Sequence, residues 1–285
     1  MRSTLMHPKK INPVPEEKCQ AGEAWRTFYQ SGNLSWIKPE TITLDYVRGL
    51  AQTEWIGRIL KATGFVPRQT VRVLEAGCGS GIYAISLALL GFSVDAFDYN
   101  KEAVVLAQQL AQNAETSAGR KLNLRVYQDN LLSIQAASQT YDLVFNQSVL
   151  EYFVTDGARH QAIAEMVRVT KHDGYVAAIV QHTGHPFNAL WKSFGWPGYT
   201  HQPQVAILTP RSLQRAFQQT GLDAVTLDGI YPWHAFFYWP HWYKRWRWLN
   251  EGVYLLGKAL NRFCPLPRSW RAALATQILA IGRKP

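Results

Sequence analysis

Three glycines at alternate positions stand between a short apolar run and a helical pattern. They belong to the motif Glu75-Ala76-Gly77-Cys78-Gly79-Ser80-Gly81, which continues the β-branched run that begins at Val71. An apolar run of this length that ends in glycines predicts a buried strand followed by a tight turn. Because glycine has no side chain, a ligand can lie against the backbone of such a turn. The motif therefore favours an α/β fold with a ligand at a strand end.

The spacing of the glycines disfavours one large class of α/β fold. The dinucleotide fingerprint requires a third glycine three residues after the second. Position 82 is Ile82 in this chain, so a nicotinamide or flavin dehydrogenase is not expected. Taken alone, the turn is also compatible with ordinary packing of a strand against a helix.

Strand-like and helix-like segments alternate along most of the chain. Strands are expected at residues 71–75, 92–99, 122–127, 141–146, 174–180, 222–227 and 276–281, and helices at 81–90, 101–115, 158–169 and 209–220. Such alternation predicts an α/β, Rossmann-like, doubly wound fold with a mostly parallel sheet of seven strands. A chain of 285 residues is long enough to bury this core in one domain.

Three segments fall outside the alternation. Residues 1–20 contain prolines and cations without an apolar run of signal-peptide length, and we expect a flexible leader. Residues 182–208 are rich in Gly, Pro, His and aromatic residues, which predicts a lid beside a site. Residues 231–275 are too long for a simple connection and predict an insertion before the last strand. We expect residues 21–285 to form one domain that includes the lid and the insertion.

Positive charge is concentrated near the C-terminus. The formal net charge is +10, and residues 231–285 hold nine lysines and arginines against the single acid Glu251. Six tryptophans lie in the same insertion, which favours an anionic partner for this basic, aromatic segment. Residues 231–271 could contact a membrane interface, with tryptophans at headgroup depth, or grip RNA with cations and stacked rings. The third interpretation is a packed cap over a substrate pocket.

The cysteines and the apolar stretches limit the location of the protein. Cys19, Cys78 and Cys264 are odd in number and lack the spacing of disulfide frameworks or zinc sites. We therefore expect a reducing, cytoplasmic location and no metal. The longest aromatic stretch without charge, residues 229–243, is shorter than the roughly 20 residues of a spanning helix, so no transmembrane segment is expected.

With Val73 and Leu74 before it, the glycine motif resembles motif I of the class I S-adenosylmethionine-dependent methyltransferases. The resemblance extends over roughly residues 71–227 and is strongest to the quinone-biosynthesis, or methyltransferase type 11, group. It implies an enzyme with S-adenosylmethionine as cofactor. It also implies cofactor contacts from residues at strand ends, namely Glu75, Gly77, Gly79, Gly81, Asp98, Tyr99, Asp129, Asn130 and Asn146.

The resemblance implies a role for each position. Asp98 matches an acid that accepts hydrogen bonds from both ribose hydroxyls, and Tyr99 matches a residue that packs on adenine. Asp129 and Asn130 match a carboxylate and an amide that read the adenine edge. Asn146 ends the strand that approaches the methionine part. Each acid taken alone is equally compatible with a helix cap or a turn.

Trp25, Phe28 and Tyr29 lie at helical spacing in the N-terminal region. The resemblance implies that such a helix covers the cofactor. The alternative is a helix that packs on the edge of the sheet without touching a ligand.

The sulfonium of the cofactor is already activated, so the protein must align the reactants and exclude water. If the acceptor is a hydroxyl or an acidic carbon, a base must remove its proton. His182 and His185, just past the fifth strand, are candidates, although loop histidines are often ordinary rim residues. Glu151 and Tyr152 are the alternatives, in a Leu-Glu-Tyr stretch that resembles the Leu-Glu-His of the family.

The aromatic lid and insertion predict a small, hydrophobic or ring-containing acceptor that is methylated on oxygen or carbon. Nucleic acid is disfavoured, because the fourth strand ends in Asn146-Gln147-Ser148-Val149 and lacks the Asn/Asp-Pro-Pro-aromatic tetrad of base-modifying enzymes. An RNA methyltransferase is one alternative, and salt-dependent competition by RNA would identify it. A non-catalytic protein that binds S-adenosylmethionine is the other, and it would show binding without turnover.

Overall fold

A computed structural model describes residues 25–27, 29–30, 45–46, 49, 55–68, 70–185, 187, 205–230, 232–233, 252, 255–257, 259–260 and 263–285. The expected leader at residues 1–20 lies outside the described residues. So do most of the expected lid at 182–208 and most of the expected insertion at 231–275, including the basic string Lys244, Arg245 and Arg247.

The core is a seven-stranded sheet. Its strands are β1 (Arg72–Ala76), β2 (Ser93–Asp98), β3 (Leu124–Gln128), β4 (Tyr141–Gln147), β5 (Thr170–Gln181), β6 (Asp223–Ile230) and β7 (Gln277–Arg283). The order across the sheet is β3-β2-β1-β4-β5-β7-β6. All pairs are parallel except those of β7, which is antiparallel to both β5 and β6. The prediction of a mostly parallel, Rossmann-like sheet is confirmed.

Helices connect the strands, and local sequence explains several of their ends. They are α1 (Ile56–Thr63), α2 (Ile82–Leu90), α3 (Lys101–Ala118), α4 (Asp156–Val169), α5 (Pro210–Gln219) and α6 (Arg268–Leu274), with a 3-10 turn at Leu150–Tyr152. Thr209 caps α5, since its side chain accepts a hydrogen bond from the Ser212 N–H. Pro210 occupies the first helical position, where its missing N–H costs nothing.

Two apolar layers cover the two faces of the sheet. Helices α1, α2 and α3 pack on one face and α4 and α5 on the other. Successive residues of β5 alternate between the layers, with Ile179 in the first layer and Val180 in the second. Such burial on both faces is characteristic of strands that run parallel in the middle of a sheet.

The strand order creates a topological switch point between β1 and β4. The chain passes from β1 outward to β2 and β3, and then crosses to the other side of β1 to form β4. Ligands of open α/β sheets bind outside the carboxyl ends of the strands at such a point. Within the described part of the chain, no helix has the length and apolar character needed to cross a bilayer.

Candidate active site

The glycine-rich turn lies at the carboxyl end of β1, beside the switch point. Gly77, Gly79 and Gly81 have φ angles of +78°, +53° and +71°, in the left-handed region that favours glycine. A Cβ atom on Gly77 would lie 2.6 Å from Val149 Cγ2, and one on Gly81 would lie 2.9 Å from Ala107 Cβ. The turn therefore requires glycine both for its backbone angles and for its packing.

A helical segment that includes Tyr29 covers this turn. The Tyr29 hydroxyl oxygen lies 2.7 Å from the position that a Cβ on Gly79 would occupy. Burial and the nearby Asp98 carboxylate raise the pKa of Tyr29, so its hydroxyl stays protonated at neutral pH. Trp25, one turn earlier, packs edge-on against Tyr152 with ring centroids 5.5 Å apart. Of the two alternatives for this segment, the cover over the turn is the one that these contacts favour.

Asp98 ends β2 next to the turn. Its Oδ2 accepts a hydrogen bond from the Gly79 N–H at 2.9 Å and its Oδ1 accepts one from the Asn100 N–H at 2.9 Å. Burial raises the pKa of Asp98, while these two N–H groups favour the ionised form. A carboxylate offers about four lone-pair sites, so Asp98 keeps capacity to accept two further hydroxyl donors.

Asp129 and Asn130 lie at the end of the neighbouring strand β3, where the Asp129 N–H donates to the Asp98 carbonyl at 3.1 Å. The Asp129 carboxylate accepts the Asn130 N–H at 2.8 Å and the Gln135 N–H at 3.0 Å, which shapes the turn after β3. Tyr99 follows Asp98 and its side chain is 41% exposed. The structure thus brings the predicted adenosine contacts to one edge of the sheet.

Glu75 and Asn146 lie deeper than the other predicted cofactor residues. Glu75 is 1% exposed, and its Oε2 accepts the Ala84 N–H at 2.8 Å, which joins β1 to α2. Burial raises the pKa of Glu75 to about 8. Asn146 is fully buried, and its Nδ2 lies 3.2 Å from Met166 Sδ in α4. These contacts hold strands and helices together beside the site. Contact of either residue with the cofactor stays a prediction.

Glu151 lies in the 3-10 turn after β4 and is almost completely buried. Its Oε1 accepts the Gln181 N–H at 3.3 Å, and the Ser148 hydroxyl also donates to this carboxyl. Among the described residues its Oε2 has no hydrogen-bond partner. Burial raises the pKa of Glu151 to about 7. A carboxyl of this pKa with an unpaired oxygen can take up a proton near neutral pH.

The turn that presents Glu151 begins with a strained residue. Ser148 has a φ of +53°, and its N–H donates to the Ile179 carbonyl at 2.8 Å. Such a conformation costs roughly 1–3 kcal/mol for a residue other than glycine and is concentrated at functional sites. Sequence reasoning missed Gln181 as a partner of Glu151, since Gln181 contributes its backbone N–H and any residue type could do so.

His182 and His185 are both buried, and both face the segment before β7. His182 Nδ1 donates to the Ala275 carbonyl and His185 Nε2 donates to the Leu274 carbonyl, each at 3.0 Å. Because a carbonyl oxygen can only accept, the ring nitrogen that faces it must carry the proton. His185 Nδ1 accepts the Phe187 N–H at 3.1 Å, so backbone groups occupy both its nitrogens. Burial lowers the pKa of His182 to about 4 and also lowers that of His185. A role for either histidine as the base stays a prediction.

The two ends of the expected lid lie against each other. The Gly184 N–H donates to the Leu208 carbonyl at 2.9 Å, and the Thr183 hydroxyl donates to the Ala206 carbonyl at 2.6 Å. The Ala206 N–H in turn donates to the Glu151 carbonyl at 2.7 Å. These hydrogen bonds therefore hold the ends of the expected lid directly beside Glu151.

Comparison with known proteins agrees with this geometry. Residues 74–178 match the family described as "Methyltransferase domain". The chain is similar to the ubiquinone biosynthesis O-methyltransferase of Methylocella silvestris, with 28% identity over 243 residues that cover 78% of this chain and 86% of that protein. The protein of the same name from Rhizobium rhizogenes is 27% identical over 222 residues, covering 76% and 84%.

The fold is also similar to that of a solved structure, geranyl diphosphate C-methyltransferase from Streptomyces coelicolor A3(2). The TM-score is 0.55 at 17% sequence identity, over 80% of this chain and 78% of that chain. The family and relative matches confirm the predicted enzyme class, an S-adenosylmethionine-dependent methyltransferase, and the predicted cofactor. The left-handed glycine turn and the spare acceptor capacity of Asp98 fit a cofactor that carries a ribose.

Proposed function

We propose that this methyltransferase transfers a methyl group to a ring hydroxyl of a small hydrophobic acceptor, with Glu151 as the base. The names of the curated relatives, which are ubiquinone biosynthesis O-methyltransferases, support methylation of oxygen. The aromatic composition of residues 182–208 and 231–275 supports an apolar, ring-containing acceptor. The observation that carries the proposal is the buried Oε2 of Glu151, which has no hydrogen-bond partner in the part of the chain that the structure describes.

The cofactor would lie across the carboxyl ends of β1 and β2. S-adenosylmethionine supplies an electrophilic methyl group that needs no covalent help from the protein. Asp98 accepts the two ribose hydroxyls, and the backbone of the glycine-rich turn lets the cofactor approach closely. Tyr29, above Gly79, closes this cleft from the N-terminal side and offers a hydroxyl donor.

Glu151 then removes the proton of the acceptor hydroxyl at Oε2. The Gln181 N–H and the Ser148 hydroxyl hold the carboxyl in place. Burial sets the pKa near 7, so a large fraction of the enzyme carries the ionised base at neutral pH. A protonated Glu151 cannot perform this step.

His182 and His185 act as anchors of the lid in this proposal. Their hydrogen bonds to Ala275 and Leu274 hold the first residues of the lid against the segment before β7. The lid, residues 182–208, would exclude water from the acceptor. Tyr152, which is half-buried against Trp25, would form part of the acceptor wall.

The insertion at residues 231–275 has two proposed roles, a cap over the acceptor and a contact with a membrane interface through residues 231–271. Both rest on the tryptophans and on three cations. The residues that lie outside the described part of the chain are Trp239, Trp242, Trp246, Trp248, Lys244, Arg245 and Arg247. If the insertion contacts a membrane interface, a cytoplasmic enzyme would take its hydrophobic acceptor from the bilayer.

The substitution Glu151→Gln tests the base. We expect a fall in the rate of labelled methyl transfer to an alkylated dihydroxybenzene of roughly 10²- to 10⁴-fold, because a general base contributes about that factor. Affinity for S-adenosylmethionine should not change. In the wild-type enzyme kcat should fall about tenfold per pH unit below a pKa near 7, since protonation removes the base.

The matched control is Glu115→Gln, which removes an acid that pairs with Lys121 on the outside of α3. This variant should keep the wild-type rate and pH profile. A Glu151→Gln enzyme with the wild-type rate and the same pH dependence would exclude Glu151 and leave His182 as the next candidate.

A further inference from the structure

A cavity of about 340 Å³ lies between α1, α6 and the last two strands of the sheet. The lining residues that matter for its chemistry are Arg58, Lys61, Asp228, Arg268 and Arg271. Strand β7 lies three positions from β1, which at about 4.8 Å per strand is roughly 14 Å. The cavity is therefore separate from the glycine-rich turn.

The lining of the cavity is strongly basic. Four cations, Arg58, Lys61, Arg268 and Arg271, face the single carboxylate of Asp228, which is a formal balance of +3. A concave surface of one sign concentrates ions of the opposite sign. Its volume lies at the lower end of the range for small-molecule sites.

Asp228 is already saturated with cations. Its carboxylate makes a two-point contact with the Arg271 guanidinium, at 2.7 Å and 2.8 Å, and lies 2.9 Å from Arg58 Nη1. Burial alone would raise the pKa of Asp228, but these two guanidinium groups hold it below its usual range. Asp228 therefore serves to position the two arginines and does not neutralise the other cations.

Lys61 and Arg268 supply the surplus charge. Both residues are exposed at the rim, and neither side chain forms a hydrogen bond or an ion pair with the residues that the structure describes. They belong to different elements, α1 and α6, so the fold brings them to one cavity from positions more than 200 residues apart. Leu279 and Ile281 give the cavity an apolar wall.

The walls of the cavity are held firmly together. A Cβ atom on Gly229 in β6 would overlap the Arg271 carbonyl oxygen, so α6 presses directly on the strand. Arg271 Nη1 donates to the Leu266 carbonyl at 2.7 Å, and Arg58 Nη1 donates to the Gly229 carbonyl at 3.0 Å. A ligand would meet a preformed site, which reduces the entropy lost on binding.

We propose that this cavity binds a small phosphate monoester with an apolar substituent. The phosphate carries a charge of about −1.5 to −2 at neutral pH, which suits the surplus cations Lys61 and Arg268. The substituent lies against the apolar wall of Leu279 and Ile281. The phosphate belongs either to a free ester or to a lipid headgroup, since the chemistry of recognition is the same.

Calorimetric titration with hexyl phosphate tests the proposal on the full chain. We expect saturable binding that is about tenfold tighter than that of inorganic phosphate, and no binding of hexanol. The double variant Lys61→Ala/Arg268→Ala should weaken hexyl phosphate binding at least tenfold. Both side chains are exposed, so the fold should persist, and unchanged affinity for S-adenosylmethionine checks this.

The matched control is Arg211→Ala/Arg215→Ala, which removes two exposed cations from α5 on the other face of the sheet. It should bind hexyl phosphate as the wild type does. Vesicles that contain phosphatidic acid then identify the source. Vesicle binding that the cavity variant loses points to a lipid headgroup, and absence of vesicle binding points to a free ester.

Two results would overturn the proposal. One is absence of hexyl phosphate binding to the wild-type protein, whatever the vesicles do. The other is equal binding of hexyl phosphate by the wild type and by the Lys61→Ala/Arg268→Ala variant.

Discussion

Asp98 and Glu151 are two acids at strand ends whose surroundings give them different chemistry. Both carboxylate oxygens of Asp98 accept backbone N–H groups, which favour the ionised form against the burial that raises its pKa. Glu151 keeps one oxygen without a partner among the described residues, and burial holds its pKa at about 7. Where two acids of one site have such different surroundings, one commonly binds a ligand and the other transfers a proton.

Gly79 is the residue of the glycine-rich turn that lies against the Tyr29 hydroxyl. We expect Gly79→Val to abolish binding of S-adenosylmethionine, because its φ is +53° and a Cβ would lie 2.7 Å from the Tyr29 hydroxyl. Calorimetry should show no heat of binding at concentrations that saturate the wild type. Gly64→Val, at another left-handed glycine with open space around it, is the control for backbone strain and should retain binding. Normal affinity in Gly79→Val would mean that the cofactor lies elsewhere.

At the scale of elements, both ends of the proposed lid are held by hydrogen bonds. Thr183 and Gly184 bind residues 206–208, and the two histidines bind the last residue of α6 and the residue after it. The proposed lid and the proposed C-terminal insertion therefore share an attachment point. A change in either segment should be transmitted to the other through His182 and His185.

This attachment should make the fold sensitive to acid. The pKa of His182 is lowered to about 4 from an ordinary value of 6.5, so the folded protein keeps it neutral while the unfolded chain takes up a proton below pH 6.5. Stability that is present above pH 6.5 is lost as the pH falls towards 4. The linkage relation gives a loss of about 2 kcal/mol at pH 5 from this one group.

Thermal melting at pH 7 and pH 5 measures the loss. We expect His182→Asn to reduce the acid sensitivity, since an asparagine Nδ2 can still donate to the Ala275 carbonyl but cannot titrate. His160→Asn, at an exposed histidine of α4, should leave the acid sensitivity unchanged. An equal drop in melting temperature in the wild type and in His182→Asn would contradict the anchor role.

At the scale of the whole molecule, local patterns predicted most of the sheet. The seven predicted strands are found within a few residues of their expected bounds, because β-branched runs and glycines mark strand ends directly. Parallel strands have their carboxyl ends at the same edge of a sheet. The prediction of the strands therefore also placed four site residues at one edge, namely Asp98, Tyr99, Asp129 and Asn130. Strand β5 begins at Thr170, four residues earlier than predicted, because it follows the last residue of α4 directly, with no turn between them.

Features that depend on distant contacts could not be read from the sequence. The helices α1 and α6 were not expected, and α1 owes its place to packing against strands far away along the chain. The histidines contact residues 93 and 89 positions away, which no local pattern records. The inward orientation of the Asn146 side chain and the cavity between α1 and α6 also depend on contacts between distant residues, so the sequence did not predict them.

The central claim is that S-adenosylmethionine binds at the carboxyl ends of β1 and β2, with its ribose on Asp98. Calorimetric titration of the wild type, Asp98→Ala and the exposed control Asp223→Ala tests it most directly. We predict micromolar binding by the wild type and the control, and a loss of about 2 kcal/mol or more in Asp98→Ala, because a charged acceptor of two hydroxyls is removed. Absence of binding by the wild type, or equal affinity in Asp98→Ala, would contradict the account.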